Sequence, residues 1–297
     1  MEDDGKHMGS SAALKTDTPS GLSEAGFVRL RELIAQHSGL HFPPEKKYLL
    51  SQRLQQRLQQ LKMAHYDDYV AHLSRLPVDD SEWAAVLNLV TTRETYFFRE
   101  ISQLEFMVRD LLPELLKRPH AGQTLRVLSA ACSSGEEAYT LGVFLQEYGR
   151  LPMGLRWEVV GVDISSQALE QAEQAVYRDY AVRHMPEAIR KKYFESVGSE
   201  GAIRPQAGLR QKTRFAQANL VDVAQIQALG KFDLVFCRNV LIYFDMDRRE
   251  QILGNLARVM HPGGFMITGF SESLLENVPG LQVKRFGNSP VYRRAEG

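Results

Sequence analysis

LRVLSAACSSGEE, from Leu125 to Glu137, is an apolar run that leads into a loop of small and polar residues and then two acidic residues. A second stretch, FDLVFCRNVLIYF from Phe232 to Phe244, has the same arrangement. Short apolar runs of this kind are typical of buried strands, and ligands of open α/β sheets bind beyond the carboxyl ends of the strands. The two stretches therefore predict a parallel sheet with the functional site at their polar ends.

Apolar strands and helical segments alternate from Leu125 onward. This alternation predicts an α/β fold with a doubly wound, Rossmann-like parallel sheet. A basic stretch over 183–212 is too long for a simple crossover and predicts a small inserted β-subdomain. The predicted helices are Glu136–Tyr148, Ser166–Val176 and Asp247–Met260, and the later predicted strands are Trp157–Ser165, Thr213–Leu220, Phe265–Phe270 and a hairpin of Gln282–Phe286 with Val291–Arg294.

The first polar loop contains a single glycine, Gly135, where a dinucleotide-binding fold would carry the GxGxxG pattern that cradles a pyrophosphate. Glu136 directly after it would repel a phosphate but tolerate a cation. S-adenosylmethionine, which is positively charged and lacks phosphate, fits both features. The loop alone leaves a methyltransferase and other uses of an α/β sheet open.

Two further strand ends carry polar residues. Asp163 ends the second predicted strand, where an acid in this fold accepts hydrogen bonds from ribose hydroxyls; as an alternative, it caps the helix that begins near Ser165. Asn219 ends the third predicted strand and is a candidate for contact with adenine. Its alternative is a turn residue before the helix predicted at Asp222–Leu229.

The N-terminal part of the chain differs in character. Residues 1–22 are polar and lack apolar periodicity, which predicts a disordered leader. Over 23–90 apolar residues recur at helical spacing, which predicts an all-α domain. We assign 91–123 to a linker and cofactor-binding segment and 124–297 to the sheet-containing domain. The helical spacing is carried by Phe27, Leu30 and Ile34, then by Leu50, Leu54, Leu58 and Leu61, then by Trp83, Val86, Leu87 and Val90.

Composition excludes several protein classes. Lys and Arg total 36, as do Asp and Glu, so bulk charge does not predict a nucleic-acid-binding protein. Cys132 and Cys237 both end apolar strands, which predicts buried thiols and a reducing, cytoplasmic setting. No apolar run is long enough to insert into a membrane. We expect a monomer, since no long apolar heptad pattern is present, and the motifs predict no metal site.

Five stretches together resemble the CheR family, the chemotaxis receptor glutamate O-methyltransferases. The resemblance extends from about Glu24 to Arg294, includes the helical domain and the insertion, and keeps the order of the motifs. It implies transfer of a methyl group from S-adenosyl-L-methionine to receptor glutamates, with S-adenosyl-L-homocysteine as the product. The stretches are TTRETYFFRE (Thr91–Glu100), SAACSSGEEAYTL (Ser129–Leu141), GVDIS (Gly161–Ser165), FCRNVLIYFD (Phe236–Asp245) and HPGGFMITGFSES (His261–Ser273).

The resemblance implies a set of site residues. For the implied reaction we expect Arg99 to orient the acceptor carboxylate and Tyr243 to donate a hydrogen bond or shape the methyl pocket; the alternatives are a surface ion pair and a buried aromatic residue. Arg93 departs from the asparagine of many members, so it either reaches the carboxylate of the cofactor or is an exposed cation. The implied cofactor contacts are Thr95, Arg99, Glu136, Asp163, Asn219, Leu220, Asn239 and Val240.

The second predicted helix carries Lys46, Arg53 and Arg57 away from its leucine face. The resemblance implies that this basic face docks on the acidic helical bundle of a chemoreceptor's cytoplasmic region; a solvated helix face is the alternative. Some relatives hold a receptor peptide on the inserted subdomain by strand addition. Two other functions stay open at this point: a nucleic-acid methyltransferase and a non-catalytic sensor of S-adenosylmethionine.

Overall fold

A computed structural model describes residues 21–117, 124–198, 201–272, 278–286 and 289–296. The predicted leader, apart from its last two residues, and the hairpin turn at Gly287 and Asn288 lie outside these ranges. The helices are α1 (Glu24–Ser38), α2 (Lys47–Gln60), α3 (Tyr66–Leu73), α4 (Ser81–Val90), α5 (Ile101–Phe106), α6 (Leu112–Leu116), α7 (Glu136–Tyr148), α8 (Ser166–Gln174), α9 (Asp179–Val182), α10 (Glu187–Tyr193), α11 (Ala207–Arg210), α12 (Val223–Ala228) and α13 (Met246–Arg258). The strands are β1 (Thr124–Ala130), β2 (Arg156–Asp163), β3 (Phe194–Val197), β4 (Ala202–Pro205), β5 (Thr213–Gln217), β6 (Phe232–Cys237), β7 (Met260–Thr268), β8 (Leu281–Phe286) and β9 (Ser289–Arg294).

Seven strands form one sheet in the order β5-β2-β1-β6-β7-β9-β8. The first five are parallel, and the β8–β9 hairpin adds antiparallel to β7. Ala130 at the end of β1 pairs with Val162 of β2 on one side and Cys237 of β6 on the other. The register therefore places the polar ends of these three strands side by side, and the predicted fold class is confirmed.

The N-terminal helices pack into the core on one face of the sheet. The predicted leucine face of α2 is buried, with Leu50, Leu54 and Leu58 fully covered. One continuous cluster of buried residues runs from α1–α4 into β1, β2, β6 and α13. A second cluster on the other face joins α5–α7 to the inserted elements. Because the helical domain shares a core with the sheet, it is held as a wall beside the strand ends.

Three elements differ from the sequence prediction. The segment 91–123 contains a helix, since α5 and α6 are joined by a π-helical turn at Met107–Leu111, and α3 was not predicted as a separate helix. Strand β7 begins at Met260 rather than Phe265. The residues between the predicted helix and the predicted strand contain a register shift against β6, where Gly264 approaches the Asp233 carbonyl so closely that a Cβ would lie 2.8 Å from it.

The inserted segment contains a two-stranded antiparallel sheet of β3 and β4 flanked by α10 and α11. It is joined to the main body by paired hydrogen bonds between Tyr177 and Ile203, each 2.9 Å. Helix α9, just before the insertion, is held by the Phe97 amide, which donates to the Ala181 carbonyl at 2.9 Å. The small β-subdomain is therefore present as predicted. No helix within the described ranges has the length and apolar character needed to cross a membrane.

The helical domain contains one nearly buried carboxylate, Glu82, which is 7% exposed. Arg57 donates to it through Nε (2.9 Å) and Nη2, and the Tyr69 hydroxyl donates at 2.5 Å. Burial acts to raise the pKa of Glu82, but the hydrogen bonds from Arg57 and Tyr69 outweigh it and the net pKa is lowered. The ionised pair therefore stabilises the fold above the usual glutamate pKa and is lost as the pH falls below it.

We expect Glu82→Gln to lower the free energy of unfolding at pH 7 by about 2 kcal/mol, because the mostly buried Arg57 guanidinium loses its charged acceptor and keeps only neutral ones. Urea denaturation measures this difference. The matched control is Glu32→Gln, since Glu32 pairs with Arg29 while both side chains are about half exposed; its effect should stay within roughly 0.5 kcal/mol. Equal effects of the two variants would contradict the assignment.

Candidate active site

A cavity of about 680 Å³ lies between the strand ends and the helical domain. Its volume is in the range of small-molecule sites. The cavity wall includes most of the predicted site residues: Lys46, Arg53, Thr95, Arg99, Asp163, Asn219, Leu220, Asn239, Val240 and Tyr243. Three predicted residues, Arg57, Arg93 and Glu136, do not line it.

The loop after β1 has a tightly constrained backbone. Ala131, Ser133 and Gly135 have φ angles of 60°, 51° and 92°, and a Cβ on Gly135 would lie 2.9 Å from that of Ala172. The Ser133 amide donates to the Asp163 Oδ2 atom at 2.8 Å. The Asp163 carboxylate thus joins the ends of β1 and β2 on the cavity wall, and burial raises its pKa.

The alternative role of Asp163, as the cap of α8, is performed by Ser165. Ser165 caps α8, since its hydroxyl accepts from the Ala168 amide at 3.1 Å. Asp163 instead accepts from the Ser165 amide at 2.9 Å. Asn219 also has a structural bond: its side-chain amide donates to the His37 carbonyl in α1 at 3.0 Å. It faces the cavity while tying the end of β5 to the helical domain.

The two acidic residues after Gly135 have different surroundings. Glu136 is 3% exposed and accepts a hydrogen bond from the Ser134 hydroxyl at 2.8 Å. Glu137 lines the cavity and accepts from the Ser129 hydroxyl at 2.7 Å and from Arg238 Nε at 2.7 Å. Of these two acidic residues, Glu137 is therefore the one on the cavity wall, one position after the residue that the sequence singled out.

Arg238, in the turn after β6, lines the cavity and holds neighbouring segments together. It was not among the predicted site residues. Its side chain is 2% exposed, and besides its bond to Glu137 it donates to Gln103 at 3.0 Å and to the Arg99 carbonyl at 3.2 Å. The Asn239 side-chain amide donates to Glu100 at 3.0 Å. These contacts hold the segment that carries Arg99 against the turn after β6.

Arg99 lies in a strained part of the backbone. Its neighbours Phe98 and Glu100 have φ angles of 63° and 53°, which are unusual for residues with a side chain. Its guanidinium donates to the Glu94 carbonyl at 3.1 Å and lies 5.7 Å from the centre of the Tyr96 ring. Strain of this kind persists only where the surroundings enforce it, and it is concentrated at functional sites.

The predicted basic residues of α2 and of the turn before it divide between two environments. Arg53 lines the cavity and donates to the Val90 carbonyl and, at 3.0 Å, to the Thr92 hydroxyl; burial lowers its pKa. Lys46 is exposed on the same wall. Arg57 is occupied by Glu82 inside the helical domain. The predicted basic face is thus not continuous, and Arg93 is an exposed cation beside it.

The strand-end part of the cavity wall offers polar groups suited to a nucleoside. Asp163 supplies an acidic group there, whereas Glu137 is paired with Arg238, and the Ser133 hydroxyl is buried there without a hydrogen-bond partner among the described residues. An unpaired buried hydroxyl has a free-energy cost that a bound polar group removes.

Cys132 and Cys237 are free and buried, as predicted. Among the described residues, no group of His, Cys, Asp and Glu is arranged to hold a metal ion.

Burial raises the pKa of Glu136 to about 7, although the Ser134 hydroxyl and the backbone act in the opposite direction. The folded protein therefore retains this proton at pH values where the unfolded chain releases it. Its contribution to stability is complete below pH 4, the range of an ordinary glutamate, and declines as the pH rises to about 7.

For Glu136→Gln, we expect the free energy of unfolding relative to the original protein to rise by about 3 kcal/mol between pH 4 and pH 8, since glutamine does not ionise. Denaturation at a series of pH values measures this change. A difference that does not vary with pH would contradict the assignment. Glu105→Gln, at an exposed position of α5, is the control.

Comparisons with known proteins show the family to which the chain belongs. The family model described as the CheR methyltransferase SAM-binding domain matches residues 93–286, and the CheR all-alpha domain matches residues 25–91. Chemotaxis protein methyltransferase 2 of Vibrio cholerae is 35% identical over 91% of this chain and 93% of its own length. Chemotaxis protein methyltransferase 1 of Pseudomonas aeruginosa is 34% identical over 91% and 98%.

Among solved structures, magnesium protoporphyrin IX methyltransferase from Synechocystis with bound SAM covers 66% of this chain and 81% of its own, at 17% identity and a TM-score of 0.37. That score is too low to support a conclusion. The family models span both the helical domain and the sheet and include every strand end that lines the cavity. This chain therefore belongs to the CheR family of S-adenosylmethionine-dependent methyltransferases.

Proposed function

We propose that the protein transfers a methyl group from S-adenosylmethionine to glutamate side chains of a chemoreceptor's cytoplasmic region, forming methyl esters. The observation that supports this most is the location of Arg99, a cation on the wall of the cavity that also contains the predicted cofactor residues. The names of the relatives, chemotaxis protein methyltransferases, support the choice of partner.

The chemistry needs positioning more than proton transfer. When bound, S-adenosylmethionine supplies a methyl group on a positively charged sulfur. A glutamate carboxylate is already ionised at neutral pH, so it needs no general base. The protein has to hold one carboxylate oxygen in line with the methyl group and keep water away. Correct placement alone can lower a barrier by about 7 to 11 kcal/mol in favourable cases.

Arg99 is suited to this positioning. One of its N–H groups donates to the Glu94 carbonyl, which restrains the guanidinium, and the planar fork has further N–H donors. A guanidinium matches the two oxygens of a carboxylate. We propose that Arg99 holds one acceptor oxygen and that the other attacks. Tyr243 lines the same cavity and shapes the space for the methyl group.

Docking is proposed for the cavity side of α2 and the turn before it. Lys46 and Arg53 lie on that wall, whereas Arg57 is engaged by Glu82. An acidic helical surface would approach Lys46 first, because it is exposed, and charge complementarity would raise the encounter rate. Reversing the charge of Arg57 would test the stability of the helical domain rather than docking.

The main experiment incubates the protein with methyl-labelled S-adenosylmethionine and cytoplasmic fragments of chemoreceptors, then treats the product with mild alkali. Carboxyl methyl esters release labelled methanol, whereas methylated nucleobases do not. Label on added nucleic acid would favour a nucleic-acid methyltransferase. Binding of S-adenosylmethionine without label on either acceptor would favour a sensor.

Arg99→Ala should lower the rate of methyl transfer at least 100-fold, because the acceptor loses its orienting group. Calorimetry with S-adenosylhomocysteine checks that the site still forms. The matched control is Arg109→Ala, which removes a 72% exposed arginine paired with its neighbour Asp110 and should leave the rate unchanged. Normal turnover by Arg99→Ala would remove Arg99 from the mechanism.

Lys46→Glu should raise the KM for the receptor fragment several-fold while leaving the affinity for S-adenosylhomocysteine unchanged, because an exposed charge acts on encounter. The effect should shrink as salt is added. Arg75→Glu is the control, since Arg75 is an exposed cation of the helical domain away from the cavity wall. An equal effect of the two variants would show that docking depends only on net charge.

A further inference from the structure

Glu272 is a buried acidic residue without an assigned role. It follows β7 and is 6% exposed. It does not line the cavity, so it has no direct access to a ligand there. Its side chain nevertheless crosses to the turn after β6, which does line the cavity. A buried carboxylate is unfavourable unless its oxygens are fully hydrogen-bonded, and its contacts therefore indicate what it stabilises.

Four backbone amides donate to this one carboxylate. Oε1 accepts from Val240 at 2.8 Å and Leu241 at 2.7 Å. Oε2 accepts from Asn239 at 3.0 Å and Gly269 at 2.6 Å. An ionised carboxylate offers only acceptors, so it matches four donors. Three of these amides belong to the turn after β6, and the fourth ties that turn to the end of β7.

The shape of this turn depends on an external restraint. Asn239 has a φ of 57°, a left-handed conformation that residues with side chains rarely adopt. A short 3-10 turn at Leu241–Tyr243 begins two residues later, after Val240, and its first amides have no partner within the turn. Glu272 supplies those partners. Without the carboxylate, three amide donors would lose their acceptors and the left-handed residue would lose its restraint.

We propose that Glu272 is a positioning residue for the methyltransferase site, whose carboxylate holds Asn239 and Val240 in the conformation that binds S-adenosylmethionine. The inference rests on the proposed assignment of these two residues to the cofactor. Glu272 also acts on the part of the site proposed to hold the acceptor carboxylate, because the Asn239 side chain donates to Glu100, next to Arg99. Glu272 acts through the turn and touches no reacting atom.

Gly269 gives an independent way to disturb the same contact. A Cβ on Gly269 would lie 2.9 Å from Glu272 Oε2 and 3.0 Å from the Asn239 nitrogens. Atoms that close force the carboxylate or the turn to move. Gly269→Ala therefore perturbs the contact between the Glu272 carboxylate and the turn after β6 while keeping the charge of Glu272. It serves as a second variant should Glu272→Gln fold poorly.

The experiment measures the affinity for S-adenosylhomocysteine by calorimetry, well below the melting temperature of each variant. Glu272→Gln should weaken binding at least tenfold, because an amide presents an N–H group to donors that need an acceptor. Gly269→Ala should weaken it in the same direction, and Glu272→Asp should recover part of the loss. In NMR spectra, the amide protons of Val240 and Leu241 should shift upfield in Glu272→Gln as they lose a charged acceptor.

The control for instability is Leu253→Ala, which removes a fully buried side chain of α13 away from the cavity. It should lower the melting temperature without changing affinity. Affinity within twofold of the original protein in both Glu272→Gln and Gly269→Ala would overturn the proposal, as would a loss of affinity in Leu253→Ala of equal size. If the original protein binds S-adenosylhomocysteine but esterifies no receptor, the proposed function is contradicted, whereas the positioning role of Glu272 is not.

Discussion

The parallel register of β1 between β2 and β6 is the constraint on which the site depends. It aligns Ala130 with Val162 and Cys237, so three loops begin at one edge of the sheet. The buried apolar strands fix this register, since a shift by one residue would turn their side chains to the wrong face. The polar residues that follow the strands are therefore brought together by the packing of residues that take no part in the chemistry.

Buried charged residues then fix the loops at that edge of the sheet relative to one another. Arg238 is surrounded by Glu137, Gln103 and the Arg99 carbonyl, which joins the loops after β1 and β6 to the segment before α5. Networks of this kind stabilise one arrangement because removal of any partner leaves a buried group unsatisfied. The strained backbone beside Arg99 is compatible with such a network, which supplies restraints from two sides.

Much of this could be predicted from the sequence, and the misses have physical causes. The apolar runs LRVLSA and FDLVFC predicted the sheet, and polar residues at strand ends predicted Asp163 and Asn219, whereas Asn239 was implied by the family resemblance. Adjacent residues on a helix point in different directions, so the sequence did not distinguish Glu136 from Glu137. Arg57 and Arg53 are one helical turn apart, yet only the packing of α4 decides that Glu82 engages one of them. Glu272 forms its bonds with the backbone, which leaves no pattern in the sequence.

The bonds across the seam between the two domains have a thermodynamic consequence. The Asn219 side chain donates to the His37 carbonyl, and the His41 amide donates to the Tyr243 carbonyl at 2.9 Å. Residues on both sides of this seam line the same cavity. Any molecule that occupies the cavity gains contacts only while the halves stay joined, so filling it tightens their association by mass action. Ligand binding and the association of the two domains are therefore thermodynamically linked.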